Sequence, residues 1–303
     1  MNLDLDLNLD FDQVLKQLRT ASKQKENQGK PPLLSPDVAQ TKDFIFTPIN
    51  NPLNRIGDSG PLLLAKRKSD NQEQYLIKHA YTDCACNEFV YTKLAQGMGY
   101  KMPDAILFQL SDNQKEDYFI TEYIIGLRYL DLEIESPTYA QIREKATNWT
   151  AYFSFKALYH IFDESDNFEI PLAKDGFIYR IDTTDAFPIN TWHLSDAGIN
   201  LTLNGYNPYE TRKKQLLSSD FSNILSTSMC DMSLANCLKE NKDSLPYFLE
   251  PFIRIQDVSS AYIDQFLNTL CYFYPDFIGD YFKCYITALQ KQCAEYVKLH
   301  QPY

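Results

Sequence analysis

The sequence predicts an α+β protein of two lobes, a small β-rich one carrying a single helix and a larger, mostly helical one. Three observations predict it. Between Asp43 and Leu127, apolar runs of strand length recur, bounded by Gly, Pro and Asn, with one helical period among them. After Gly126 the helical period takes over, and aromatic-rich stripes run through Tyr262–Tyr274 and Tyr281–Tyr296. Asp175-Gly176 divides two short runs, Asp166–Ile170 and Ile178–Asp182, and so marks a two-residue β-hairpin inside the second lobe. With 303 residues, 44% hydrophobic and 14% aromatic, the chain has ample material for a buried core.

Each element follows from its residues. Residues 1–42 read as an N-terminal helix, with Phe11, Val14, Leu15 and Leu18 on one face, and a polar linker, Ser22–Pro36. The first lobe, residues 43–127, has strand candidates at Phe44–Pro48, Pro61–Lys66, Tyr75–Ala80, Ala105–Leu110 and Tyr118–Ile125. Its helix, Cys84–Gln96, has Phe89, Val90, Leu94 and Ala95 as an apolar stripe, and Gly97 and Gly99 stop it. The second lobe, residues 128–303, opens with Ser136-Pro137 as the N-cap and first residue of one long helix reaching Ile161. The hairpin follows, then a loop from Phe187 to Pro208 and helices from Glu210 to Val297.

A formal net charge of −11 argues against whole-surface attraction to nucleic acid or anionic lipid, so no nucleic-acid partner is expected. Membrane or phosphoinositide contact finds no support in it either, though a local basic patch is compatible with such contact. The seven cysteines are odd in number and lack framework spacing, which reads as reduced thiols in a reducing compartment. Cys84-Ala85-Cys86 fits neither a redox nor a zinc motif. No signal peptide or spanning run is visible, so the cytoplasm is the expected location, and export without a cleaved signal is compatible with it. Lys66-Arg67-Lys68, Arg212-Lys213-Lys214 and the N-terminal lysines are basic clusters that read as solvated faces or as sites for an allosteric inositol phosphate.

Several residues could carry chemistry. Tyr75-Leu76-Ile77-Lys78 is a strand ending in a lysine, and Glu88, in the first turn of the next helix, is its natural partner for holding phosphates. Gly57, Ser59 and Gly60 join two strands with a turn that permits close backbone approach to phosphate oxygens. Asn167 and Asp182, at the two ends of the hairpin, could bring two oxygen ligands to one Mg²⁺ or Mn²⁺. Ile120–Gly126, with Glu122 and Tyr123, leads from one lobe to the other, where backbone groups would meet an adenine edge. Each feature also has an ordinary reading: a surface lysine, a helix-dipole glutamate, a plain turn, a hairpin with polar ends.

In order, these parts resemble known families. Tyr75-Leu-Ile-Lys78, Asn87-Glu88, Lys93-Leu94-Ala95 and Gly99-Tyr-Lys-Met-Pro103 resemble the HipA-like toxin kinases. Asp166-Asn167-Phe168, Tyr179-Arg-Ile-Asp182 and Ala186-Phe187-Pro188 are similar to type II phosphatidylinositol 4-kinases. Both families share the atypical kinase fold, so the resemblance, over roughly residues 55–190, implies one bilobal kinase-like domain binding ATP and Mg²⁺. It implies Lys78 on the phosphates, Glu88 orienting it, and Asn167 and Asp182 on the metal. In these families an Asp precedes the metal Asn at a spacing that here falls on Phe162; Asp163, one residue later, and Asp166 are the candidate bases. Glu164 and Ser165 replace the usual basic residue, so the loop reads as acidic and without a cation. The expected activity is phosphorylation of protein Ser/Thr, with phosphoinositide phosphorylation or a catalytically weak scaffold as alternatives. The Asn-, Lys- and Gln-rich flavour and helical C-terminus resemble Legionella-type effectors acting in host cells.

Overall fold

The computed structural model describes residues 38–48, 63–70, 72–77, 82–109, 123–165, 167–187, 213–214, 216–217, 224–273 and 276–300. Within them, six strands form one sheet: β1 (Val38–Gln40), β2 (Phe44–Pro48), β3 (Leu63–Arg67), β4 (Gln74–Ile77), β5 (Ala105–Gln109) and β6 (Tyr123–Arg128). Their spatial order is β1-β5-β6-β4-β3-β2. β1 runs parallel to β5, and the other neighbours are antiparallel. β1 is a strand that the apolar pattern does not announce; its Val38 lies opposite Leu107.

Alternation along the strands gives the sheet two buried faces. Phe44, Tyr75, Ile77, Ile106 and Phe108 form a small cluster on one of them. There Phe44 and Phe108 meet edge to face at 4.9 Å. Ala105, Leu107, Ile125 and Leu127 belong to the larger core, which continues into the helical part. β6 ends later in the chain than the sequence predicts because Gly126 looks like a strand end and instead lies within the strand. A Cβ at Gly126 would run into the Phe108 ring and come within 3.1 Å of Ile77 Cδ1, so the close approach of neighbouring side chains requires glycine here.

The helix α1 (Thr82–Gly97) is buried on every side from Ala85 to Ala95, Asn87, Glu88, Thr92 and Lys93 included. The apolar stripe expected of it is therefore only one of its covered faces: the sheet takes one side, and α6 (Ser260–Phe273) takes another, where Tyr262 donates to the Lys93 carbonyl at 2.9 Å. The two glycines at its end have different tasks. Gly99, with φ +84, closes the helix: its N–H donates to Gln96 O at 2.8 Å and that of Tyr100 to Ala95 O at 3.0 Å. Gly97 leaves room for the Tyr262 ring.

The single long helix expected from Ser136 to Ile161 is two helices, α2 (Tyr139–Lys145) and α3 (Ala151–Ile161). Thr138 caps α2 in a capping box with Gln141, in place of Ser136. The interruption exists because the segment between the helices docks on the hairpin. Thr147 N–H donates to Gly176 O at 2.7 Å. The Asn148 side chain accepts from Ile178 N–H at 2.8 Å and donates to Ile178 O at 3.0 Å, as a strand neighbour would. Two short strands that the pattern does not announce, β7 (Leu132–Ile134) and β8 (Leu172–Ala173), pair beside it.

The remaining helices are α4 (Thr227–Glu240), α5 (Leu245–Asp257) and α7 (Asp276–His300). α5 packs between α3 and α7, with Phe252 stacked on Tyr296 at 4.5 Å. Pro251 inside α5 has no N–H for the Tyr247 carbonyl one turn back; the buried Ser154 hydroxyl of α3 donates to that carbonyl at 2.9 Å instead. A β-sheet N-terminal part followed by a helical C-terminal part is the bilobal layout expected of a kinase-like fold. Cys86, Cys230, Cys237, Cys271, Cys284 and Cys293 are in no disulfide among the described residues. No helix of the described residues is long and apolar enough to cross a membrane.

Candidate functional site

A cleft of about 490 Å³ opens where the sheet meets the connection into the helical part. Leu76 of β4, Leu127 of β6, Tyr129, Asp131, Leu132 and Ile181 are among its walls. Its volume is in the range of small-molecule pockets. Leu76 stands two positions before Lys78 in the sequence, and Ile181 immediately precedes Asp182. Thus the cleft joins the sequence neighbourhoods of two candidate residues, one from each half of the sequence motif set.

The connection that borders this cleft is not the one expected. Residues 124–126 lie inside β6, with Gly126 opposite both Ile77 and Ile106, so their backbone groups belong to the sheet. The chain leaves the sheet after Arg128, and Tyr129, Leu130 and Asp131 face the cleft; residues 120–122 of the expected connection lie outside the described residues. On the rim, Asp131 pairs with Lys174 at 2.9 Å and Glu133 with Lys145 at 2.6 Å. These exposed pairs contribute little stability, but they temper the negative charge at the mouth.

The hairpin reaches the cleft at Ile181. Glu169 bridges Ile181 and Leu172 bridges Ile178, both antiparallel. Its turn is a three-residue loop, Lys174-Asp175-Gly176, one residue longer than expected: Gly176 N–H donates to Ala173 O at 3.0 Å, and Ala173 N–H to Phe177 O at 2.9 Å. Gly176 takes the left-handed position with φ +80. Asp175 stiffens the turn, accepting from Tyr179 hydroxyl at 2.6 Å and Lys101 Nζ at 3.0 Å. Burial would raise its carboxyl, but the bonds from Tyr179 and Lys101 prevail and hold it below the ordinary value. Continued by one pair, this register sets Phe168 opposite Asp182, and Asn167 comes one residue before Phe168, so Asn167 and Asp182 both stand at the open end of the hairpin. Asn167 is exposed and Asp182 half-buried.

Asp163, Asp182 and Phe187 are the non-glycine residues with positive φ among those described, at 49, 58 and 56°. At Asp163 the cause is the end of α3. Glu164 N–H donates to Tyr159 O at 2.9 Å and Asp163 N–H to His160 O at 3.3 Å, the pattern that closes a helix through one left-handed residue. The turn leaves Phe162 inside the core and Asp163 exposed. Phe162 meets Tyr91 edge-on at 4.7 Å and Phe187 at 5.0 Å, so no base stands at position 162. Phe187 N–H donates to Phe162 O at 2.7 Å and its ring reaches Phe282 and Tyr285 of α7. An aromatic of this bulk with left-handed backbone is held by that packing.

Glu88 is buried on α1, as a carboxylate serving an internal partner must be. Its neighbour Asn87, also buried, donates to Thr184 O at 2.9 Å and so ties α1 to the segment after Asp182. The loop at Glu164 is not an acidic loop without a cation. Glu164 is buried and ion-paired with Arg180 of the hairpin, whose side chain is itself fully buried. Burial lowers the Arg180 pKa, while Tyr91, Asp182, Tyr159 and Glu88 oppose that shift.

Lys78, Gly57, Ser59, Gly60, Glu122 and Asp166 lie outside the described residues, as does the side chain of Tyr123. No group of three or more His, Cys, Asp or Glu among the described residues is arranged to hold a metal ion. Of the basic runs, Arg67 is engaged by Glu73, Lys68 donates to Lys42 O at 2.6 Å, and Lys213 pairs with Asp280 at 2.8 Å.

Sequence reasoning assigned no role to Arg180, Asn87 or Asn148, and it read Glu164 as part of an acidic loop without a cation. One signal for Arg180 exists: in Ile178-Tyr179-Arg180-Ile181 a period of two puts it on the face of Ile178, and a guanidinium on a core face needs a carboxylate. For the other three, the partners are remote in sequence and no pattern marks them.

No family model matches the chain, and no curated protein matches it. Among solved structures it is similar to CtkA, a Helicobacter pylori proinflammatory kinase, at 10% identity and a TM-score of 0.49, over 88% of this chain and 100% of that one.

Proposed function

We propose that the chain is an ATP-dependent phosphotransferase acting on Ser or Thr of a protein substrate. The observation that supports this best is the cleft whose walls include Leu76 and Ile181, the sequence neighbours of Lys78 and Asp182. Asn167 and Asp182 would hold a Mg²⁺ or Mn²⁺ ion, a set that fits a metal keeping phosphate oxygens and water as its remaining ligands. Lys78, with Glu88, would hold the phosphates, and Tyr129–Asp131 would border the base. When bound, the metal supplies charge neutralisation for the phosphates. Asp163, exposed beside the hairpin, would accept the proton of the acceptor hydroxyl on a carboxylate oxygen. Action as a bacterial effector inside a host cell belongs to the same proposal and rests on composition alone.

A second reading, a scaffold that binds nucleotide with little turnover, draws on Phe162 occupying the expected base position inside the core. One experiment separates them. The purified protein is incubated with radiolabelled ATP and Mg²⁺ or Mn²⁺, alone, with a generic protein, and with phosphoinositide vesicles, next to Asp182→Ala. Protein labelling at least about a hundredfold above the variant supports the proposal, since loss of a metal ligand removes stabilisation of several kcal/mol. Labelling of vesicles alone makes it a lipid kinase. Equal, negligible labelling by parent and variant favours the scaffold.

A further inference from the structure

We propose that Arg180 is a positioning residue: its buried guanidinium, anchored by Glu164, fixes the placement of Asn167 relative to Asp182. This rests on the reading that those two residues hold the metal.

The geometry is specific to this side chain. Nη2 donates to the Glu164 carboxylate and to Asn167 O at 3.2 Å. Nη1 donates to Glu169 O at 3.0 Å and to Ile181 O. The acceptors thus include the carbonyls of Asn167 itself and of the residue directly before Asp182. They span both strands at the mouth of the hairpin, where the ladder is weakest: Ile181 N–H donates to Glu169 O at a long 3.4 Å. One rigid fork does there what strand pairing does farther along. Glu164 comes from the turn that ends α3, so the clamp also fixes the loop carrying Asp163 to the hairpin carrying both metal candidates.

The charge is needed for more than packing. Arg180 and Glu164 are each fully buried, and a desolvated pair of this kind contributes little net stability compared with apolar residues of similar volume. Its retention beside a candidate metal site is accounted for by what the guanidinium spans. Lysine could meet Glu164 but, having one nitrogen, could not reach all three carbonyls at once.

The test uses the full chain, with Mn²⁺ and a non-hydrolysable ATP analogue as the probes. Free Mn²⁺ is followed by electron paramagnetic resonance, and nucleotide affinity is measured separately in chelator. Arg180→Lys and the double variant Glu164→Leu/Arg180→Met are compared with the parent, each first checked for a cooperative thermal transition. The double variant is included because removing one partner alone strands a buried charge and risks the fold. The expected result is that whichever variant folds binds Mn²⁺ at least about tenfold more weakly, the size of effect seen when groups behind metal ligands are changed. Nucleotide affinity without metal should change less than Mn²⁺ affinity, because the clamp meets the cleft wall through the Ile181 carbonyl and makes no hydrogen bond to Tyr129–Asp131. A folded variant that matches the parent in Mn²⁺ affinity overturns the positioning role alone. A parent that binds nucleotide but no Mn²⁺ overturns the metal-site reading, and this inference with it. Equal weakening of nucleotide affinity with and without metal marks general loosening and also overturns it.

Discussion

Replacing Phe162 with Asp would place there, in sequence, the carboxylate that the kinase families resembled by residues 55–190 carry at this spacing. The structure predicts damage instead of gain. Phe162 is fully buried, with Tyr91 and Phe187 at 4.7 and 5.0 Å between ring centres. Losing the ring costs about 3–5 kcal/mol in packing. An uncompensated carboxylate in the same place adds about 3–5 kcal/mol. A loss of about 6–10 kcal/mol compares with a total stability of about 5–15 kcal/mol for an ordinary protein. Melting should therefore fall by more than about 10 °C, or the variant should fail to accumulate folded. Differential scanning calorimetry at several pH values is the assay, with Phe162→Leu as an apolar control that loses markedly less. The buried carboxyl would have its pKa raised above the unfolded value of about 3.9, so the penalty is present above that value and shrinks as pH falls towards it. The gap between Phe162→Asp and the parent should accordingly narrow towards about pH 4. A Phe162→Asp protein that melts with the parent at neutral pH would refute the placement of this residue in the core. If it also gained phosphotransfer, position 162 and not Asp163 would be the base.

Two further outcomes follow from the same packing logic. Asn148→Ala removes both bonds to the Ile178 backbone and should destabilise by about 2–4 kcal/mol in urea titration, with faster hydrogen exchange at Ile178; an effect below about 0.5 kcal/mol would mean that the α2–α3 interruption does not depend on it. The hydrogen bonds from Arg67 hold the Glu73 carboxyl below its ordinary value of 4.5. Stability from this pair is complete above the unfolded value and is lost as pH falls through the lower, folded one, so melting of the parent should drop more steeply below about pH 5 than that of Glu73→Gln. Parallel acid limbs for the two proteins would contradict it.

Part of this molecule can be read from its residues alone. Alternation identifies β2, β3, β4 and β5 because sheet faces repeat every two residues, and a two-faced sheet leaves no other choice for Tyr75 and Ile77. Gly99 announces the end of α1 and Asp175-Gly176 the hairpin, since both glycines supply left-handed backbone that other residues adopt at a cost. That Asn167 and Asp182 come at the same open end of the hairpin follows from its register. Tertiary structure decided the rest. Gly126 sits within β6 because of a ring from the next strand, and α2 and α3 are separate because Asn148 finds Ile178 thirty positions away. Glu164 and Arg180 bury one another's charge, which no local pattern can show, because a desolvated ion pair is defined by its partner and not by its neighbours in the chain.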